Sequence, residues 1–153
     1  MNHSHFLLDI VREQKRGNPK GIYSICSANA FVIEAALEFG KKQGTPILIE
    51  ATSNQVNQYG GYTGMLPADF YAYVLRLCSE YGLPESQVIL GGDHLGPLTW
   101  TDLPEAEAMR RAEALVSLFV QAGFTKIHLD TSMRLASDSR SERLADDVIA
   151  ARG

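Results

Sequence analysis

The sequence predicts an α/β fold made of three strand–helix units and a fourth strand, (βα)3β, followed by a tail. Two observations predict it: short apolar runs alternate with longer segments of helical periodicity, and turn residues separate them. Such alternation is typical of βαβ units, which build parallel sheets. Either a doubly wound sheet or one half of an eight-stranded barrel fits this order. A GxGxxG fingerprint is absent after the first strand, which disfavours the doubly wound sheet without removing it.

The four predicted strands are short apolar runs that cover residues 21–26, 46–51, 87–92 and 125–130. Helical spacing of apolar residues predicts helices over residues 30–42 and 104–123, and a third helix that opens at residues 66–69. Gly44 and Gly123 stand where helix ends favour glycine. The Asp93-His94 pair is expected in a turn that ends the third strand.

Composition places the chain among ordinary globular domains. Its 153 residues are 45% apolar and 21% charged, so we expect one domain over residues 1–153. No apolar run approaches the about 20 residues of a membrane helix, and the N-terminus lacks the pattern of a secretory signal, so a cytoplasmic location is expected. The net charge of −4 argues weakly against nucleic acid or an anionic membrane as partner.

The two cysteines are far apart in the sequence and form no CxxC pair, which predicts reduced thiols. Cys26 and Cys78 both lie in apolar segments. We expect Cys26 to be a buried core thiol rather than a nucleophile.

Polar side chains follow each apolar run at the predicted carboxyl end of a strand. Ligands of parallel α/β sheets bind at this edge, where the strand ends lie side by side. The sequence therefore predicts a functional site formed by the side chains that close the strands: Cys26, Asn29, Glu50, Thr52, Asp93, His94, His128 and Asp130.

Three of these residues are candidate metal ligands. His128 and Asp130 are two residues apart in a strand, so both side chains project from the same face. With His94 they offer imidazole nitrogen and carboxylate oxygen, which suit zinc or manganese. The alternative is that these residues only cap a helix or bond a loop amide.

Asp93 and Glu50 are the other acidic candidates. Asp93 beside His94 could act in proton transfer, or the two could be a turn residue and a packed histidine. Glu50 closes an apolar strand, where an unpaired carboxylate is costly, so it must meet a cation, a metal or loop amides. A binding role for Glu50 and a structural ion pair both remain open.

The segment 54–64 is long for a strand–helix connection and is rich in amides and glycines. Asn54, Gln55, Gly60 and Gly61 are candidate substrate-binding residues, because such a loop could close over a polyhydroxylated ligand or bind a phosphate through backbone N–H groups. A contact between subunits is the alternative.

Four separated strings carry a family resemblance. They are IEATSNQV at residues 49–56, GGYTGM at 60–65, GGDHLGP at 91–97 and AGFTKIHLD at 122–130. Together they resemble the GatZ/KbaZ family, the accessory subunits of class II D-tagatose-1,6-bisphosphate aldolase. The resemblance implies a TIM-type (β/α)8 barrel of more than twice this length, of which the chain would be the first half.

The resemblance also implies a role. Family members support the activity and stability of a separate zinc-dependent catalytic subunit of the GatY/KbaY type, in galactitol or N-acetylgalactosamine catabolism through D-tagatose 6-phosphate degradation. Carried over, Asp93 is the proton-transfer candidate and His94 a metal-ligand candidate. Some relatives carry the name tagatose-6-phosphate kinase, but this sequence has no P-loop and no kinase-type glycine-rich loop.

Two further functions stay open beside the accessory subunit. The chain could be a metal-dependent aldolase or epimerase that acts on a ketose phosphate, or an inactive remnant of a truncated gene. Half a barrel would expose unpaired strand edges, so we expect the isolated chain to aggregate or form homo-oligomers.

Overall fold

The computed structural model describes residues 3–139 and 143–153. Within these residues, one sheet of four parallel strands alternates with helices. The strands are β1 (Ser24–Cys26), β2 (Ile47–Thr52), β3 (Val88–Leu95) and β4 (Lys126–Leu129). The α-helices are α1 (His3–Lys15), α2 (Ala30–Gln43), α3 (Pro67–Tyr81), α4 (Glu105–Ala122) and α5 (Asp146–Ala151). Short 3-10 turns cover Gly61–Thr63, Glu85–Gln87 and Pro97–Trp100.

The order of the strands decides between the two predicted architectures. The strands lie in the order β1-β2-β3-β4, so each new strand is added on the same side of the sheet. A doubly wound sheet reverses this direction at a switch point, whereas a barrel does not. The chain therefore has the topology of half a barrel, and β1 and β4 are its two open edges.

The elements differ from the sequence prediction in four places. β1 has three residues rather than six, and β4 ends at Leu129, so Asp130 lies beyond the strand in which it was predicted. β3 continues to Leu95, so the prediction that Asp93 and His94 lie in a turn beyond the strand was wrong; both belong to the strand, at an irregularity in its pairing. Helices α1 and α5 had not been predicted.

The apolar core lies between the sheet and helices α2, α3 and α4. Alternate residues of β2 face these helices, as the two-residue period of a strand requires. Ile33 of α2, Phe70 of α3 and Phe119 of α4 are fully buried there. Left-handed residues end the three helices, with Gly44 at φ 63° and Gly123 at φ 102° in the predicted positions.

The opposite face of the sheet carries polar residues. In the pairing register, Cys26 lies beside Glu50, Glu50 beside Gly91, and Gly91 beside Lys126. Cys26 is exposed on this face, so its expected burial in the core was wrong; Cys26 and Cys78 are both free thiols, and Cys78 is buried. None of the helices in the described residues combines the length and apolar composition needed to cross a bilayer.

Arg152 anchors the end of the chain to the start of α4. Its side chain is only 2% exposed and bonds the carboxylates of Glu105, at 2.9 and 3.2 Å, and Asp138, at 2.8 and 3.0 Å. These hydrogen bonds raise the pKa of Arg152 and hold the pKa values of both carboxyl groups below their ordinary range. Arg152 therefore connects the end of α5 to α4 and to the loop that follows β4.

Replacing Arg152 should weaken the fold measurably. Arg152→Met leaves the Asp138 carboxylate without its cation, so the free energy of unfolding should fall by more than it does in an exposed-pair control, as measured by chemical denaturation. Arg76→Met is the control, because Arg76 pairs with Glu80 in an exposed ion pair and its loss should cost no more than about 0.5 kcal/mol. Equal effects of the two variants would contradict this role of Arg152.

Candidate functional site

Asp93, His94 and His128 meet at the carboxyl edge of the sheet. The Asp93 Oδ1 atom lies 2.9 Å from His128 Nδ1, and its Oδ2 atom lies 3.1 Å from His94 Nδ1. The centroids of the two imidazole rings are 4.4 Å apart. One potential ligand atom from each residue lies within 4.8 Å of the other two. We call these three residues the strand-end cluster.

A β-bulge brings His94 into the strand-end cluster. Three residue steps on β3, from Gly92 to Leu95, pair with two steps on β4, from Ile127 to Leu129. The extra residue lets two successive side chains, Asp93 and His94, reach the same site, which regular alternation would forbid. His94 has φ 49°, in the left-handed region that a non-glycine residue occupies at a cost of about 1–3 kcal/mol.

Asp93 is ionised in this arrangement. Burial raises its pKa, but the hydrogen bonds from His128 and His94 lower it more, and the net result is a pKa of about 2. An ionised carboxylate only accepts hydrogen bonds, so both Nδ1 atoms carry the proton. In neutral imidazoles, the Nε2 lone pairs of His94 and His128 then remain for a cation or a proton. The low pKa favours an orienting carboxylate over a proton donor.

An ion pair lies next to the strand-end cluster, one row down the sheet. The Glu50 side chain is only 2% exposed, and its Oε1 atom accepts a hydrogen bond from Lys126 Nζ. The same ammonium lies 3.6 Å from Asp93 Oδ1. Glu50 thus meets a cation, as expected for a buried carboxylate. Lys126 had not been predicted, although it lies two residues before His128 and so shares its face of β4.

Asp130 lies outside the strand-end cluster. Its Oδ1 atom accepts hydrogen bonds from the backbone N–H of Ser132 at 3.0 Å and from the Ser132 hydroxyl at 2.6 Å. Burial raises the pKa of Asp130, but these hydrogen bonds and the nearby rings of His94 and His128 lower it below its ordinary value overall. Asp130 therefore shapes the turn after β4 and contributes negative charge beside the imidazoles.

The long loop after β2 is tightly folded on itself. Asn57, only 3% exposed, accepts from the N–H groups of Tyr59 and Gly61 and donates to the Ser53 carbonyl. Gly60 and Gly61 both have positive φ, and a Cβ at Gly61 would collide with the Gln55 backbone.

Two of the predicted ligand-binding amides also have partners within the protein. The Gln55 side-chain oxygen accepts from Thr52 N–H at 2.8 Å and lies 3.6 Å from Cys26 Sγ, and the Asn54 side-chain oxygen accepts from the Thr99 hydroxyl. Gln55 therefore links the loop to the carboxyl edge of the sheet.

A separate cavity of about 430 Å³ beside α4, lined by Leu95, Val116 and Leu129, does not include the strand-end cluster.

Sequence comparison gives this geometry a context. A family model described as D-tagatose-1,6-bisphosphate aldolase subunit GatZ/KbaZ-like matches residues 7–153, nearly the whole chain. The chain belongs to the GatZ/KbaZ-like family. The resemblance predicted from the four sequence strings is therefore confirmed.

A solved structure supports the same fold class for this GatZ/KbaZ-like chain. The chain is similar to the crystal structure of a probable tagatose 6 phosphate kinase from Sinorhizobium meliloti 1021, with 51% sequence identity and a TM-score of 0.82. The match covers 87% of this chain and 34% of that one, so the GatZ/KbaZ-like chain spans about a third of the length of this relative. The predicted partial TIM-type barrel is confirmed.

Cys26 lies close to the strand-end cluster in this family member but is poorly suited to be a nucleophile. Partial burial of its sulfur, with the nearby Asp93 carboxylate, raises the pKa of Cys26 to about 11. Because only the thiolate is strongly nucleophilic, the thiol is nearly inert at neutral pH although the residue is exposed.

Alkylation by iodoacetamide, followed for the Cys26 peptide by mass spectrometry, tests this pKa. The rate should keep rising by about tenfold per pH unit beyond pH 9, where an ordinary cysteine levels off. Asp93→Asn removes the neighbouring negative charge and should speed the reaction at pH 8. Circular dichroism at each pH checks that the protein stays folded. A rate that levels off near pH 8.5 would show an ordinary thiol.

Proposed function

We propose that the chain forms part of a cytoplasmic accessory subunit of D-tagatose-1,6-bisphosphate aldolase, which supports the activity and stability of a separate catalytic subunit. The family match over residues 7–153 is the observation that carries this proposal. The matched description names an aldolase subunit, and the solved relative is described as a probable tagatose 6 phosphate kinase. Ketose phosphates of the tagatose type are therefore the proposed ligand class, with D-tagatose 6-phosphate degradation as the pathway.

The strand-end cluster supports a second candidate function, metal-dependent aldol or epimerase chemistry on a ketose phosphate by this barrel itself. The Nε2 atoms of its two imidazoles suit a divalent cation such as zinc or manganese, and the Asp93 carboxylate would be the outer hydrogen-bond partner of both rings. A bound cation would polarise a carbonyl or hydroxyl oxygen of the ligand. Asp93 would keep both imidazoles oriented.

An aldol-cleavage assay with D-tagatose 1,6-bisphosphate separates the two candidates. The purified catalytic subunit is assayed with and without this chain, and the chain is assayed alone. For an accessory subunit, the chain alone is inactive, while the catalytic subunit gains activity and melts at a higher temperature when the chain is added. Turnover by the chain alone that disappears in Asp93→Asn supports the second candidate instead. No effect in either assay would refute the accessory role and the aldol reaction of the second candidate, and a coupled assay for the epimer of D-tagatose 6-phosphate tests its epimerase reaction.

Calorimetric titration of Mn²⁺ or Zn²⁺ into the chelator-treated chain tests the cation site. The wild type should bind one ion, and His128→Ala and Asp93→Asn should weaken binding by at least about tenfold. Asp130→Asn is the matched comparison, because this carboxylate bonds Ser132 and should matter much less. Equal affinity of the wild type and His128→Ala would refute the site.

A further inference from the structure

A charged row of residues lies directly beneath the strand-end cluster. Pairing across the sheet places Cys26, Glu50, Gly91 and Lys126 side by side on four adjacent strands. Asp93 and His128 follow two residues later on β3 and β4, so they project from the same face in the next row. The interior rows of such barrels are usually filled by branched apolar side chains. A carboxylate and an ammonium in this row therefore call for a specific role.

Gly91 creates the space in which these two charges meet. A Cβ at this position would lie 2.7 Å from Glu50 Oε1 and 3.0 Å from Lys126 Cδ. Any other residue at position 91 would push the ion pair aside. Because residue 91 of β3 has no side chain, Glu50 of β2 and Lys126 of β4 can meet across this strand.

Stability alone explains this ion pair poorly. Burying two charges costs desolvation energy that their attraction repays only in part, and apolar replacements of buried pairs are often neutral or stabilising. The Glu50 side chain is 2% exposed and the Lys126 side chain 25%, so one end of the pair is fully buried while the other reaches towards the site. The less buried partner is Lys126, whose ammonium lies 3.6 Å from Asp93 Oδ1.

Lys126 connects the buried carboxylate to the strand-end cluster. Its Nζ atom donates to Glu50 and lies 3.6 Å from Asp93 Oδ1, the oxygen that also accepts from His128 Nδ1. The other Asp93 oxygen contacts His94. A continuous series of charge-assisted contacts thus runs from Glu50 through Lys126 and Asp93 to both imidazoles.

We propose that Lys126, held in place by Glu50, is a positioning residue for the strand-end cluster. Its ammonium fixes the Asp93 carboxylate, and Asp93 fixes the proton and the orientation of both imidazole rings. The expected effect of Lys126 on cation binding rests on the proposed function, whereas its effect on the orientation of the two rings does not. Removing the hydrogen-bond partner of a metal-binding histidine typically weakens metal affinity by about 10- to 100-fold.

Electrostatic repulsion by Lys126 would change cation affinity in the opposite direction to its positioning effect. An ammonium near a cation site repels the cation, so its removal could strengthen binding. Glu50 largely cancels this repulsion, because the pair as a whole is neutral. A variant that removes both charges together leaves the net charge unchanged and therefore isolates the positioning effect.

The test is the double variant Glu50→Gln with Lys126→Met. Glu38→Gln with Lys42→Met is the matched control, because it removes the same two charges from the exposed surface of α2. In the cation-free protein at about pH 8, where an ordinary imidazole is neutral, long-range ¹H–¹⁵N spectra report which nitrogen of each ring carries the proton. The wild type and the control should show Nδ1–H for His94 and His128, whereas the double variant should shift towards Nε2–H.

Cobalt(II) supplies the second measurement. The double variant should bind Co²⁺ at least about tenfold more weakly than the control and show a changed visible absorption band, because the ligands have moved. A folded double variant with unchanged proton positions, an unchanged Co²⁺ spectrum and unchanged or tighter binding would overturn the proposal.

Two further outcomes keep the positioning role separate from the cation site. If the wild type binds no Co²⁺, the cation site fails, and the proton positions alone decide the role of Lys126. If the double variant does not unfold cooperatively, Glu50→Gln with Lys126→Gln replaces it, because two amides can hydrogen-bond where the ions did. The same shift in proton position is expected in that variant, and its absence would refute the positioning role.

Discussion

In-register parallel pairing of the four strands is the constraint on which the site depends. It aligns Cys26, Glu50, Gly91 and Lys126 in one row and places Asp93 directly above Gly91. A slip of one residue in β2 would turn Glu50 towards the apolar core and send its apolar neighbours to the polar face. The buried core between sheet and helices therefore fixes the register, and the register fixes which charged groups can meet. The site is a consequence of how the core packs.

The sequence predicted the strands and helices that contribute most to the core, because burial leaves a periodic apolar pattern. The helix over residues 104–123 and the apolar strand at 46–51 were found within one or two residues. β1 is shorter than predicted, since only Ser24, Ile25 and Cys26 pair with β2. Helices α1 and α5 leave a weaker pattern, since none of residues 6–15 of α1 is fully buried and α5 has six residues.

Which residues form the site was harder to predict than where the site lies in the fold. Strand alternation predicted that His128 and Asp130 act together, but the strand ends at Leu129 and Asp130 turns to Ser132. The same alternation forbids Asp93 and His94 from sharing a site, and only the bulge permits it. A bulge depends on tertiary contacts that one sequence does not display. Lys126 could have been predicted from the sequence. It lies two residues before His128, so its side chain projects from the same face of β4.

The two adjacent glycines of β3 leave space on both faces of the strand. Gly91 leaves the inner face of the strand open for Glu50 and Lys126, whereas Gly92 leaves the outer face open for Leu95 and Phe119. Two adjacent glycines weaken a strand, but β3 is hydrogen-bonded on both sides, and this pairing offsets the loss. The strand is therefore thinnest directly below the strand-end cluster. Side chains from the neighbouring strands occupy that space, which explains how a carboxylate from β2 and an ammonium from β4 come together beneath a residue of β3.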